Sequence, residues 1–254
     1  MAIAARRLVQ SAAVARRRWP IGCSVRLAHT VAPVQFDLAA IRAEVEAEHA
    51  RQQSELVTVH TPRLQGVSES SYAQPAAPWH WLDRELSSNV AGETGAVCIY
   101  HGAAAALRLR GNASAKTLSF VAEHEATEQA HLDLFAELLP AHKHTRLLPI
   151  WRIAGFSLGF APALVSDRAL FVTVEAVETF VEEHYHEQIH PLREHGRCPE
   201  LLALLEHCCA DEVHHKDDAC ERAGGASSRT LVEQAWMRVV RVGSAVAAEV
   251  ARRV

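Results

Sequence analysis

Two lone glutamates, each followed at nearly the same distance by a Glu-x-x-His pair, constrain this chain more than any other feature. Glu93 lies 35 residues before the pair Glu128 and His131, and Glu178 lies 34 residues before Glu212 and His215. On a helix, residues three apart share a face. Two matched separations therefore describe two similar helical hairpins, each setting a lone glutamate opposite a Glu-x-x-His at the same height. A four-helix bundle holding two metal ions needs this set: one Glu from each of two helices, and Glu-x-x-His from each of the others. Burying four carboxylates without compensation would be very costly, and two divalent cations would neutralise them. Oxygen-rich ligation with one imidazole per metal suits iron that activates dioxygen, whereas zinc would draw more nitrogen or sulfur. The neighbours agree with an inward orientation. Ala91, Gly92 and Ala130 leave room for close helix approach, Leu132, Leu134, Phe135 and Leu138 follow His131 with core periodicity, and Ala176, Val177, Phe180 and Val181 bracket Glu178.

Glu-x-x-His occurs five times, also as Glu46/His49, Glu183/His186 and Glu187/His190, so the pair alone carries little. The stretch HEQIH at 186–190 matches the zinc-protease pattern H-E-x-x-H. Its context disagrees. Pro191 follows directly and disfavours α conformation before it, which predicts a helix end at His190. With 16 histidines in the chain, chance matches are expected. If Glu178 is the ligand of this helix, HEQIH lies two turns or more beyond it, and His186 and His190 face solvent or a partner. His184 and Tyr185 are close enough to support the ligands.

The helix signals repeat along the chain. Helices are predicted over about 83–109 ending at Gly111, 113–139 ending at Pro140, 167–190 ending at Pro191, and 199–222 ending at Gly224-Gly225. An additional C-terminal helix starts at Ser227 or Ser228 as N-cap. No convincing strand run with turn chemistry is present, so the class is all-α, a helical bundle. The segment LLPIWRIAGFSLGFAPALV (147–165) has a single charge, Arg152, in 19 residues. Gly155, Gly159, Pro149 and Pro162 interrupt it. It reads as a short apolar hairpin or interfacial segment that dips into a membrane surface through Trp151, Phe156 and Phe160; the other reading is a buried core helix.

The first 36 residues hold six arginines and no acidic residue, with apolar and basic positions at near-helical spacing. That composition predicts a mitochondrial transit peptide. Residues 37–56 form a charged, alanine-rich helical stretch. Residues 60–80, with Pro62, Gly66, Pro75 and Pro78, read as a linker. The division is thus 1–36 targeting, 37–80 extension and linker, and 81–254 the functional domain. A net charge of −4 gives no electrostatic reason to expect nucleic-acid binding. Six cysteines without C-x-x-C indicate reduced thiols rather than a disulfide framework. No G-x-G-x-x-G fingerprint opens a helix, so a built-in dinucleotide site is not expected.

Five blocks in order carry a resemblance: AGETGAVCIYHG (91–102), EATEQAHLDLFAELL (125–139), LPIWRIAGFSLGFAPALV (148–165), AVETFVEEHYHEQI (176–189) and DEVHHKDDA (211–219). Together they resemble the demethoxyubiquinone hydroxylase family of ubiquinone biosynthesis over roughly residues 82–254. The resemblance implies a ferritin-like bundle, two irons, dioxygen as co-substrate, and hydroxylation of the ring of a polyprenylated demethoxyubiquinol. Electrons would come from an external reductant such as NADH or from the quinol itself. It also implies the matrix side of the mitochondrial inner membrane, a lipid-binding accessory protein and a biosynthetic complex. The family's ligand positions fall on Glu93, Glu128, His131, Glu178, Glu212 and His215, and its His-Tyr pair on His184 and Tyr185. Departures cluster on the first helix: Asn89-Val90 stands for Asp-His, Thr94 for Tyr, and Ala103 for Gln. The rivals are a ferritin-like peroxidase or ferroxidase, which would need no lipid access, and a non-catalytic scaffold with a degenerate site.

Overall fold

The computed structural model describes residues 34–60 and 82–254, with 53–60 as backbone only. The transit-peptide reading of 1–36 and the linker reading of 60–80 fall almost wholly outside the described residues. Among the described residues there are seven α-helices and no strand: α1 Leu38–His60, α2 Leu82–Arg110, α3 Ala115–Leu138, α4 Leu148–Val165, α5 Asp167–His195, α6 Pro199–Arg222 and α7 Leu231–Ala251. Helices α2, α3, α5 and α6 form a ferritin-like four-helix core, α2 lying along α3 and α5 along α6. Helix α1 packs on α6 and α3, α4 on α2, and α7 on α5 and α2.

Local chemistry sets most boundaries. Ser114 and Ser166 cap α3 and α5 by accepting from Thr117 N and Ala169 N, each at 3.0 Å. Helix α6 starts at Cys198, which has a left-handed φ of 48° and no side-chain cap. Its first amides donate instead to the Glu44 carboxylate of α1, Leu201 N at 3.1 Å. The inner face of α1 recurs at Ile41, Val45, Glu48 and Gln52, all buried. The sequence drew the edge of the compact region near Trp79, yet α1 is part of the bundle.

Three expectations need correction. Helix α5 does not stop at Pro191 but runs to His195 and ends at Gly196, where φ is 59°. Ile189 and Leu192 are buried in one apolar cluster, and the carbonyl that Pro191 leaves unpaired belongs to exposed Glu187. The N-cap of α7 is Thr230, not Ser227 or Ser228, which form a 3₁₀ turn with Ala226. Only Thr230 has a glutamate three residues on, and Thr230 with Glu233 completes a capping box. Segment 147–165 is one 18-residue helix, α4, rather than a hairpin.

Helix α4 is continuous because its glycines are packing surfaces. A Cβ at Gly159 would collide with Ile99 O, one at Gly155 with Gly95 O, and one at Gly102 with Phe156 O. Backbones of α2 and α4 thus touch through a small-residue seam. The expected close approach at Gly92 and Ala130 does not occur: Ala130 is exposed, and a Cβ on Gly92 meets nothing within 4 Å. Of α4, Gly155, Gly159, Pro162 and Ala163 are buried, while Ile150, Ile153 and Val165 are exposed. Phe156 is 41 % exposed, but Phe160 packs partly inward.

Gly159→Ala should therefore push α4 off α2 and cost about 1–3 kcal/mol as overpacking. Gly243→Ala in α7, where nothing lies within 4 Å, should be neutral or stabilise by up to about 1 kcal/mol. Thermal melts of the two variants check this; equal melting temperatures would mean the seam is slack.

Candidate metal centre

Two apolar clusters divide the bundle along its length. One gathers Leu86, Val90, Phe135, Leu138, Tyr185, Ile189, Leu205 and Cys208. The other gathers Tyr100, Ala103, Phe120, Leu170, Phe171, Val174 and Ala219. On each core helix the polar residues fall between the two sets: Glu93 on α2, Glu128 and His131 on α3, Glu178 on α5, Glu212 and His215 on α6. The helical period that buries both apolar sets turns these six side chains inward at one level. None is more than 4 % exposed. They form two overlapping groups, Glu93–Glu128–His131–Glu212 and Glu128–Glu178–Glu212–His215, in each of which the ligand atoms lie within 4.8 Å of one another.

The imidazoles hold the carboxylates together. His131 Nδ1 is 3.0 Å from Glu212 Oε1 and 3.8 Å from Glu93 Oε2. His215 Nδ1 is 3.0 Å from Glu128 Oε1 and 3.3 Å from Glu212 Oε2. Burial, reinforced by the charge of Glu212, pushes Glu93 and Glu178 well above the usual carboxylate range, and Glu128 upward. Burial acts on Glu212 too, but hydrogen bonds from His131 and His215 outweigh it and bring it down to about 2. Burial opposes charging of His215, yet its bonds to Glu128 and Glu212 push it up to about 11. His131 also lies well above the usual range: burial is overcome by bonds to Asp211, Cys208 and Glu212.

This donor set fits two divalent cations. Four carboxylates face two imidazoles in a water-poor layer, and Glu178 Oε2 is buried with no hydrogen-bond partner among the described residues. A buried carboxylate oxygen without a partner is costly, and a cation at the Glu128–Glu178–Glu212–His215 group would satisfy it.

The other residues singled out by sequence divide. Tyr185 reaches the centre, its hydroxyl donating to Glu93 Oε1 at 2.7 Å. His184 does not: it contacts Ser88 Oγ (3.0 Å) and Arg252 Nη2 (3.0 Å). Arg252 only donates, so His184 Nδ1 accepts. In HEQIH, the His186 and His190 side chains are 62 % and 72 % exposed and pair with Glu182 and Glu194 of their own helix. They form no zinc site with each other. Of the first-helix departures, Asn89 makes a reciprocal amide pair with Gln188 at 2.9 Å, Thr94 Oγ1 donates to Val90 O, and Val90 and Ala103 are buried apolar contacts.

Sequence reasoning missed Asp211, whose Oδ2 lies 3.1 Å from His131 Nε2, and His124, stacked on His215 at 4.2 Å. Signals existed for both. Asp211 directly precedes Glu212, and His124 stands one turn before Glu128 on its inward face.

A cavity of about 420 Å³ leads away from the carboxylates. Glu93, Glu128, Glu178 and Glu212 lie at its inner end, and Ala96, Ile99, Trp151, Leu158, Val177 and Val181 on its walls. Helix α7 completes it with Trp236, Val239, Gly243 and Ala247. Trp151, expected at a membrane, thus partly faces the cavity.

Comparison with known proteins agrees with this architecture. The chain is 33% identical over 137 residues to a mitochondrial NADPH-dependent 3-demethoxyubiquinone 3-hydroxylase of Dictyostelium discoideum, 53% of this chain and 61% of the relative. It is 34% identical over 143 residues to a 3-demethoxyubiquinol 3-hydroxylase of Rhodospirillum rubrum, 56% of this chain and 65% of the relative. With the mitochondrial NADPH-dependent enzyme of Rattus norvegicus the identity is 31% over 177 residues, 68% of this chain and 77% of the relative. The chain thus spans somewhat under two thirds of the length of the first two relatives. The family described as ubiquinone biosynthesis protein COQ7 matches residues 80–251, which include every core helix and all six converging residues, and the chain belongs to that family.

Proposed function

We propose that the protein is a mitochondrial di-iron monooxygenase that hydroxylates the ring of demethoxyubiquinol, with Glu93, Glu128, His131, Glu178, Glu212 and His215 as the iron ligands. The observation that carries this reading is the buried carboxylate layer opening into a cavity with largely apolar walls. When bound, the irons would supply dioxygen activation. The chain supplies the rest. Glu128 and Glu212 belong to both ligand groups and would bridge the two ions. Tyr185 fixes Glu93. Val177, Val181, Ile99 and Leu158 exclude water and suit a ring carrying an apolar tail. The electrons come from an external reductant; two of the relatives named above are called NADPH-dependent. A ferroxidase or peroxidase has no use for such walls.

Lipid access follows from the same cavity. Helices α4 and α7 both line it, and their outer sides expose Ile153 and Val165, and Val242 and Val246. We read this face as resting on the matrix side of the inner membrane, so that the prenyl tail enters from the bilayer. A lipid-binding accessory protein and the biosynthetic complex would meet the protein there.

Purified protein should carry about two irons per chain, and Glu178→Ala should carry fewer and lose hydroxylation of a short-tailed demethoxyquinol. One zinc per chain, unaffected by that change, would defeat the assignment.

Membrane contact predicts that Ile153→Glu with Val242→Glu lowers co-flotation with anionic vesicles while iron content is kept. Unchanged flotation would place the lipid route elsewhere.

The protonated imidazoles predict a pH effect in metal-free protein. The folded-state value of His215, about 11, exceeds its ordinary 6.5. Its contribution is therefore full below pH 6.5 and lost as pH rises towards 11. Glu93 and Glu178, raised by burial, act in the same direction where they titrate. The melting temperature of the metal-free protein should fall across this range, and metal loading should release protons and remove the dependence. A flat profile without metal would show that these imidazoles are neutral.

A further inference from the structure

We infer that the two metal positions are inequivalent and fill in order, the Glu93–His131 position first and the Glu178–His215 position second. This rests on the two-metal reading above and goes beyond it.

Glu128 and Glu212 are common to both positions, so the difference lies in the residues private to each. In the first position both private ligands are held from behind. His131 presents Nδ1 to the carboxylates while Nε2 is 3.1 Å from Asp211 Oδ2. Glu93 receives the Tyr185 hydroxyl on Oε1 at 2.7 Å, leaving Oε2 towards His131. Asp211 precedes Glu212 on α6 and Tyr185 sits on α5, so two core helices brace ligands carried by the other two.

The second position lacks both braces. His215 also presents Nδ1 inward. Behind it stands a ring, not a carboxylate: His124 is stacked on it with centroids 4.2 Å apart and planes 20° off parallel. The nearby Asp218 is engaged with His124 Nε2 at 3.3 Å and with Arg222 Nε at 2.8 Å. Glu178 Oε2 is buried and has no hydrogen-bond partner among the described residues.

A carboxylate behind a ligating imidazole fixes ring and tautomer and increases its donor strength; losing such a partner typically costs about 10–100-fold in metal affinity. A ligand already held also gives up less freedom on binding. Both effects favour the first position. Asp211 is then a positioning residue, and the ion between Glu178 and His215 is the exchangeable one.

The test is an anaerobic titration of metal-free full-length protein with Co²⁺, following its visible absorption and, separately, calorimetry. Wild type should bind two ions in steps at least about tenfold apart. Asp211→Asn should weaken the first step by about 10–100-fold, and Tyr185→Phe should weaken the same step less. Glu178→Gln should keep the tight step and lose the second. Melting curves of the metal-free variants show whether each is folded, and the wild-type and Glu178→Gln titrations stand even if Asp211→Asn is not. Two equal steps in wild type, loss of both ions in Glu178→Gln, or equal weakening of both steps in Asp211→Asn would overturn the inference while leaving a two-metal site. Binding of no ion by wild type would overturn that site as well.

Discussion

The rest of the structure depends on a layer of four carboxylates and two imidazoles buried between two apolar clusters. No packing of hydrocarbon stabilises such a layer; it must be neutralised from within. Without metal, the hydrogen bonds of His131 and His215 to Glu212 and Glu128 do this in part. With metal, two cations would do it more completely. The four core helices must then meet at one height, because a ligand displaced by one turn falls into an apolar cluster. Fold and site are thus the same constraint seen at two scales.

That constraint explains why the six converging residues are legible in the sequence. The matched separations from Glu93 to Glu128 and from Glu178 to Glu212 follow from two hairpins of similar length, and helix period turned the intervening apolar residues into the clusters above and below. HEQIH could be set aside for the same reason: Glu178 fixes the phase of α5, and that phase turns His186 and His190 outward. Legibility failed where a decision was made far along the chain. Pro191 stops a helix by local rule, yet burial of Leu192 carries α5 past it. Gly155 and Gly159 look like interruptions until α2 is placed against them. The place of α1 depends on Glu44 reaching the amides of α6, more than 150 residues away, and no local pattern announces it.

The first-helix departures show the same limit from another side. Asn89 reads as a lost acidic position, but in the fold it finds Gln188 on α5 and satisfies both amides in a buried setting. The pair joins α2 to α5 one turn from Glu93 and three residues from Tyr185. A polar pair of this kind is worth keeping only when complete, since either half alone would leave a buried amide unsatisfied. The change at Asn89 therefore bears on how α2 and α5 are aligned, and only through that on the site.

Helix α2 is the element that ties chemistry to surface. One side of it carries Glu93 into the carboxylate layer. Its Gly95–Ile99–Gly102 side receives Gly155, Phe156 and Gly159 of α4 at backbone contact. The cavity runs along α2 between these faces and is closed by α7, whose Gly243 and Ala247 keep its bore open. Larger residues along the seam would hold α4 away from α2 and widen the gap beside the carboxylates to water. The glycines are thus what allow an outward-facing apolar helix to stand one helix layer from the site, and the close packing they permit keeps the carboxylates buried, where an uncompensated charge is costly.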